Sequence, residues 1–145
     1  MRRFPKLSQS SLALRVPAIP ALVTAAALLI GCTDETLAGY GAAGKVWHLT
    51  LLDDQAFEAK ATLTFPETGK LAGEAPCNRY HGNQTAPYPW FEVAALIATR
   101  TTCPEQASET AYLQALQQMS EAEVAGNVLI LRNEAGREMV FEARP

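Results

Sequence analysis

Residues 61–73 read ATLTFPETGKLAG and carry the clearest structural signal in the chain. Apolar and polar side chains alternate from Ala61 to Phe65, which places every second side chain on one face of a β-strand. Residues 66–70 (PETGK) include Pro and Gly, which are typical of turns, and residues 71–73 form the second arm after the turn. The stretch therefore predicts a β-hairpin with one buried face.

Strands are also predicted on both sides of this hairpin. Trp47, Leu49 and Leu51 alternate with polar residues, which is typical of a first strand with one buried face. Residues 75–90 are rich in Asn, Gly and Pro, and we expect only short or irregular strands there. The remaining predicted strands cover residues 94–100, 127–131 and 139–141, and the last two are joined by a turn at 133–136.

One amphipathic helix is predicted over residues 105–119. Pro104 suits the first turn of a helix, where backbone N–H groups lack partners. Apolar residues recur at helical spacing along one face, namely Tyr112, Ala115, Leu116 and Met119. The expected fold class is mainly β, a small antiparallel sheet curled into a barrel-like fold with this helix packed on it.

The first 31 residues have the pattern of a secretory signal peptide. Four basic residues and no acidic residue precede Cys32, and residues 21–30 (ALVTAAALLI) are almost wholly apolar. This run is short for a membrane-spanning helix, which needs about 20 apolar residues, and Pro17 and Pro20 interrupt any extension. We therefore expect export of the chain and removal of residues 1–31.

Residues 29–32, LIGC, resemble the lipobox of bacterial lipoproteins. The resemblance implies cleavage before Cys32 and lipid on its sulfur and amino group, and several acyl chains together make a stable anchor. An ordinary signal peptide with an incidental cysteine is the alternative. Thr33 follows, which in the lipoprotein sorting pattern implies the outer membrane, facing the periplasm. Residues 32–44 are polar and rich in Gly and Ala, which predicts a flexible tether before a domain at 45–145.

The charge of the chain is divided between the leader and the domain. Eight basic and all fifteen acidic residues follow Cys32, which gives this part a net charge of −7. Nucleic-acid binding depends on clustered cations that displace counterions from phosphates. The composition therefore argues against a nucleic-acid partner, and the expected attachment is to a membrane through the lipid anchor.

Two cysteines follow the predicted anchor, Cys77 and Cys103. In an exported chain an even pair favours a disulfide, which would stabilise the domain by roughly 3–4 kcal/mol in the chain-entropy model. A metal site with His48 or His81, or a reactive thiol, are the alternatives. Neither histidine has finger-like spacing from a cysteine, so we expect no metal and no cofactor.

Several short motifs occur in order along residues 45–142. They are WHL at 47–49, LTF at 63–65, CNRY at 77–80, ATRTTCP at 98–104, Tyr112-Leu113 in the predicted helix, and the closing segment from Gly126 to Phe141. This ordered set resembles the META domain, as found in the HslJ-type heat-shock lipoproteins. The resemblance implies a small β-barrel-like fold with one helix, no established enzyme activity, and a link to envelope stress.

Residues suited to catalysis are poorly placed in the sequence. Ser108 and Ser120 lie in the helical stretch and outside a G-x-S-x-G turn. The adjacent Asp53 and Asp54 would point to opposite faces of a strand, whereas an acid–base pair must converge on one substrate. We therefore expect no enzyme activity.

The most polar run beside the cysteine pair is Asn78-Arg79-Tyr80-His81. Arg79 can bind a carboxylate or a headgroup phosphate, whereas Asn78 is expected to satisfy loop amides. Residues 88–91 (YPWF) are either an exposed aromatic patch for a lipid or partner or part of the core, and core packing is the favoured interpretation.

These features predict a non-enzymatic, membrane-tethered module of the cell envelope. We expect it to bind an apolar ligand or an envelope protein and to be linked to envelope stress tolerance. The alternative is a structural outer-membrane maintenance protein without a specific ligand.

Overall fold

The computed structural model describes residues 33–144. The predicted leader and the predicted lipidation site, Cys32, lie outside the described residues. No helix within the described range is long and apolar enough to cross a membrane. A short π-helical turn (Ala38–Ala42) comes first in this range. It is followed by β1 (Trp47–Leu52), β2 (Gln55–Ala56), β3 (Thr62–Leu63), β4 (Lys70–Glu74), β5 (Arg79–Asn83), β6 (Ala94–Ala98), α1 (Gln106–Gln118), β7 (Glu121–Ala125), β8 (Val128–Arg132) and β9 (Glu138–Ala143).

The strands form two antiparallel sheets. The six-stranded sheet has the order β2-β1-β9-β8-β7, with β3 also paired to β1, and the three-stranded sheet has the order β4-β5-β6. The predicted mainly β fold with one packed helix is confirmed. Strand pairing within residues 33–144 does not close the two sheets into one barrel.

The predicted hairpin at residues 61–73 connects the two sheets. Its first arm, β3, pairs with β1, and its second arm, β4, pairs along its length with β5. Between the arms, Thr64 and Ala72 exchange two backbone hydrogen bonds, with N···O distances of 2.7 and 3.0 Å. The hairpin is therefore the seam between the sheets.

Helix α1 packs its apolar face into the core. Tyr112, Ala115 and Leu116 are fully buried, and the Tyr112 ring meets the ring of Phe141 on β9 edge-on, with 6.5 Å between their centroids. Trp47 of β1 is also fully buried. The protein's own side chains therefore fill the space between the sheets and the helix, as expected for a close-packed interior.

Two tyrosine hydroxyls meet one backbone carbonyl at the seam. The Thr62 carbonyl oxygen lies 2.7 Å from the Tyr80 hydroxyl and 3.1 Å from the Tyr112 hydroxyl, and the two hydroxyl oxygens are 2.6 Å apart. Burial raises the pKa of both phenols, so both keep the single proton that each can donate. This tyrosine junction connects β3, β5 and α1.

Gly73 of β4 leaves room for the tyrosine junction. A Cβ atom at this position would collide with the Thr62 carbonyl oxygen and would lie 2.6 Å from the Tyr80 hydroxyl oxygen. Glycine is therefore required here by the close approach of neighbouring atoms.

The segment predicted as a flexible tether packs against the domain. Leu37 and Ala42 are fully buried, and the Trp47 indole N–H donates to the Ala42 carbonyl oxygen over 2.9 Å. This finding corrects the expectation of a flexible tether for residues 33–44, the part of that segment that the structure describes. The physical reason is that a few apolar residues within a Gly- and Ala-rich stretch cover one end of the core, which composition alone does not reveal.

Replacing Leu37 by alanine tests whether this segment belongs to the folded domain. We expect Leu37→Ala to lower the free energy of unfolding by about 2–5 kcal/mol, because it truncates a fully buried leucine. The matched control is Leu51→Ala, whose loss should be clearly smaller because Leu51 is 36% exposed. Urea denaturation followed by circular dichroism measures both. A Leu37→Ala variant as stable as the unaltered protein would contradict the packed arrangement.

Candidate functional site

A disulfide joins the turn after β4 to the loop before α1. Cys77 and Cys103 are bonded through their sulfur atoms, with 5.5 Å between their Cα atoms. The sequence allowed a disulfide, a metal site or a reactive thiol for this pair, and the structure contains the disulfide. Neither sulfur is then present as the thiolate that a metal ion or a nucleophilic reaction requires.

Asn78 and Glu109 form a buried polar network beside the disulfide. The Asn78 amide nitrogen donates to the Thr101 carbonyl oxygen over 2.9 Å and to Glu109 Oε1 over 2.6 Å. The Asn78 amide oxygen accepts from the Thr99 hydroxyl at 2.8 Å and from the Thr101 backbone N–H at 2.6 Å. Glu109 Oε2 accepts from the Cys77 backbone N–H over 2.8 Å. Asn78 thus fills both its donor and acceptor positions, which is a structural role.

Strand β5 divides the predicted polar cluster between two faces. Tyr80 points into the core and is 2% exposed, whereas Arg79 and His81 lie on the outer face. Asn78 is buried in the polar network. The four neighbours in sequence therefore do not form one site, because successive side chains of a strand point to opposite faces.

Arg79 lines a surface groove beside the disulfide, with a volume of about 410 Å³. A second groove, also of about 410 Å³, shares Lys60, Glu74 and Arg79 with the first and extends to Val46 and His48 near β1. We call the two together the Arg79 groove. Its further lining residues include Pro76, Thr99 and Thr101 on the disulfide side and Thr62 and Thr64 on the other.

Two cations, Lys60 and Arg79, and one carboxylate, that of Glu74, line the Arg79 groove of this acidic domain. Lys60 Nζ lies 2.6 Å from Glu74 Oε2, and the hydrogen bond and charge of Lys60 lower the pKa of the Glu74 carboxyl. Burial lowers the pKa of His48, and the charges of Arg144 and Lys60 lower it further.

None of the salt bridges in the described part of the chain includes Arg79. The groove therefore offers the Arg79 guanidinium to a carboxylate or a phosphate.

Sequence reasoning missed Lys60, Glu74 and His48 as neighbours of Arg79. These residues come from different elements, and no motif connects them. The only signal was the strand register: Glu74 lies opposite Arg79 in the β4–β5 pair, and His48 lies opposite Thr62 in the β1–β3 pair. Predicting these pairings would have brought Glu74 beside Arg79 and His48 beside Thr62, whereas Lys60 lies before β3 and outside both pairings.

The aromatic run at residues 88–91 is divided between the core and the surface. Phe91 is 2% exposed, whereas Trp90 is 56% exposed. Tyr88 is half-buried and stacks on Tyr40, with 4.5 Å between the ring centroids. The favoured interpretation of core packing therefore holds for Phe91 and is wrong for Trp90.

Replacing Glu109 by glutamine tests the buried network. The glutamine amide puts a donor where the carboxylate accepted hydrogen bonds, so we expect Glu109→Gln to lower the free energy of unfolding by roughly 1–3 kcal/mol. Glu134 is exposed in the turn between β8 and β9, and the control Glu134→Gln should change it by less than about 0.5 kcal/mol. Urea titrations of the two variants make the comparison. Identical midpoints would show that the network adds no stability.

Solved structures that are similar to this chain include two NMR structures. The NMR structure of a protein from Burkholderia xenovorans is 24% identical and has a TM-score of 0.60, and the similarity covers 97% of this chain and 99% of that chain. A second NMR structure is 16% identical, with a TM-score of 0.54, over 68% of this chain and 87% of that chain. At these identities the similarity shows the fold alone.

No curated protein sequence matches the chain significantly. The sequence model of the META domain matches residues 41–145. This match begins before β1, within the packed segment, and spans the disulfide, the buried network and the Arg79 groove. The chain belongs to the META domain family.

Proposed function

We propose that this META-domain protein is a non-enzymatic lipoprotein of the bacterial cell envelope, anchored through Cys32 in the outer membrane and facing the periplasm. We further propose that it binds another envelope protein at the Arg79 groove and thereby contributes to envelope stress tolerance. The observation that carries the proposal is Arg79 itself, an exposed guanidinium at the wall of a groove and outside the salt bridges of the described chain.

A partner on the surface fits the structure better than an apolar ligand inside the fold. Trp47, Tyr112 and Phe141 already fill the interior. The Arg79 groove combines the guanidinium with apolar surface, including Val46, which is 45% exposed. Protein interfaces use this combination, and arginine is enriched among the residues that dominate their binding energy.

The charge of Arg79 selects an anionic group on the partner. A guanidinium donates two parallel hydrogen bonds to a carboxylate, which adds directional specificity to the charge attraction. The part of the chain after Cys32 carries a net charge of −7, from eight basic and fifteen acidic residues, so an acidic partner needs an exposed cation to bind. Arg79 supplies such a cation at the wall of the groove.

The disulfide side of the groove is held rigidly before any partner arrives. The Cys77–Cys103 bond and the hydrogen bonds of Asn78 fix the turn after β4 against the loop that carries Thr99 and Thr101. A surface that needs no rearrangement loses little conformational entropy on binding. This rigidity supports recognition of a defined partner.

The groups that line the groove favour binding over catalysis. The Glu74 carboxylate is held by Lys60, which lowers its pKa and makes it a weak base. The Cys77 sulfur is part of the disulfide and is not a nucleophile. Glu74 and Cys77 are thus satisfied within the chain, and neither supplies a general base or a nucleophile at the groove.

The anchor is supported by the sequence before the described residues. Residues 21–30 form an apolar run of signal-peptide length, and LIGC at 29–32 places Cys32 at a lipidation position. Lipidation would keep the domain in the oxidising compartment where a disulfide persists.

Replacing Arg79 by alanine tests the groove in cells. We expect the Arg79→Ala variant not to crosslink to an envelope neighbour, because the partner's carboxylate loses its paired charge. For the same reason, a deletion strain that expresses this variant should stay sensitive to envelope-directed antibiotics. Truncating a dominant interface residue weakens binding by about 2 kcal/mol or more, roughly a 30-fold change in affinity. Crosslinking in intact cells, followed by mass spectrometry, measures the first effect, and antibiotic-sensitivity profiling measures the second.

Arg100→Ala is the matched control, since Arg100 is also exposed and is not among the residues that line the Arg79 groove. The Arg100→Ala variant should still crosslink to the envelope neighbour, and it should still restore antibiotic resistance to the deletion strain. Full rescue by Arg79→Ala with unchanged crosslinking would contradict the proposal. That result would favour the alternative, a structural outer-membrane maintenance protein without a specific ligand.

A further inference from the structure

The described chain is fixed to the domain almost from its first residue. The Asp34 carboxylate accepts from the Thr36 backbone N–H at 2.9 Å and from the Thr36 hydroxyl at 2.6 Å. Its second oxygen accepts from the Thr68 hydroxyl at 2.9 Å. Thr36 is itself buried and pairs with Pro87. Asp34 is therefore tied to two distant parts of the domain.

Chain connectivity then limits how far Cys32 can lie from this surface. Only Thr33 separates Cys32 from Asp34, and two residues span at most about 7 Å when fully extended. Acyl chains attached to Cys32 would therefore extend from the protein next to Asp34, and we call this place the exit point. A bilayer that holds this lipid must face the same part of the domain.

Three aromatic residues lie in segments that contact residues 35 and 36, and of these Tyr40 and Trp90 are exposed and Tyr88 is half-buried. The backbone N–H of Tyr88 donates to the Glu35 carbonyl oxygen over 2.7 Å, and the Tyr40 hydroxyl donates to Glu35 Oε2 over 3.0 Å. The Tyr40 and Tyr88 rings stack on each other. Trp90 lies in the same loop as Tyr88, and its backbone N–H donates to the carbonyl oxygen of Pro87 over 2.8 Å. We call Tyr40, Tyr88 and Trp90 the anchor-side aromatic patch.

Two residues of this patch leave a large part of their side chains in solvent. Tyr40 is 46% exposed and Trp90 is 56% exposed. Large aromatic side chains normally bury most of their surface, and Tyr and Trp are enriched where one end of the side chain meets apolar material and the other meets water. Both residue types concentrate at the interface between bilayer and water for this reason.

We propose that the anchor-side aromatic patch lies in the interfacial region of the bilayer that holds the Cys32 lipid, so that the domain rests on the membrane surface. This inference depends on the lipid anchor of the proposed function. It adds a second, non-covalent membrane contact beside the covalent one. The domain would then have a defined orientation on the membrane, because the exit point and the aromatic patch contact it together.

The charges next to the patch indicate which membrane surface it suits. Asp34 and Glu35 flank the exit point, and Glu121 pairs with Trp90 in an isolated β-bridge. Carboxylates are repelled by anionic headgroups. A zwitterionic surface is therefore the matching partner, and vesicles of phosphatidylcholine are the appropriate probe.

Tryptophan fluorescence in such vesicles tests the inference. The chain has two tryptophans, and Trp47 is fully buried, so Trp90 is the one that lipid can reach. The full lipidated protein is purified from membranes and placed in phosphatidylcholine vesicles with or without bromine on the acyl chains near the headgroups. We expect the Trp90 emission to shift to shorter wavelength on insertion and to be quenched by the brominated lipid.

Trp90→Phe is the matched control, because it keeps an aromatic ring and leaves only Trp47 to emit. Its emission should be the same in brominated and ordinary vesicles. Mass spectrometry of the same samples establishes whether Cys32 carries lipid. Lipidated, vesicle-bound protein whose Trp90 is not quenched would overturn the inference and leave the proposed anchor intact. Protein without lipid on Cys32 would overturn the proposed anchor, and this inference with it.

Discussion

The carbonyl oxygen of Thr62 is the point on which the packing of this fold depends. Two hydroxyls, from Tyr80 on one sheet and Tyr112 on the helix, reach this carbonyl on the other sheet. A buried carbonyl without partners is unfavourable by about 1–3 kcal/mol, so the three elements hold one another in position. The constraint extends to Gly73, where a side chain would occupy the space that the Tyr80 hydroxyl needs. The sheets are thus joined by a shared polar centre, without closing into a barrel.

The same strand that brings Tyr80 inward turns Arg79 outward, and this alternation connects the fold to the proposed function. The interior is filled by the protein's own side chains, so recognition falls to the surface. The rigid turn at Cys77 and Asn78 holds the groove wall beside Arg79. The packed segment that begins at Asp34 would have a corresponding effect at the proposed membrane anchor, because it replaces a loose tether by a fixed attachment. The position of the domain on the membrane and the recognition of a partner at the groove would then both depend on rigid parts of the fold.

Much of the fold followed from local patterns, and the parts that did not follow depend on long-range contacts. Alternation predicted the hairpin at 61–73, and helical spacing predicted α1, because both signals are local. The strand β7 was missed, since Glu and Ala, which make up most of its sequence EAEVA, are not strong strand formers and its pairing with β8 decides its conformation. The candidate site was predicted only through Arg79. Its neighbour Lys60 lies in the segment between β2 and β3, outside the paired strands, and the exposure of Trp90 depends on how its loop lies on the domain.

A double-mutant cycle at the tyrosine junction tests the central claim most directly. Tyr80→Phe, Tyr112→Phe and the double variant are compared with the unaltered protein by urea denaturation. If the two hydroxyls share the Thr62 carbonyl, their effects on the free energy of unfolding are not additive, with an interaction energy of about 0.5–3 kcal/mol. Additive effects, each close to zero, would show that the two sheets and the helix are held together without this junction.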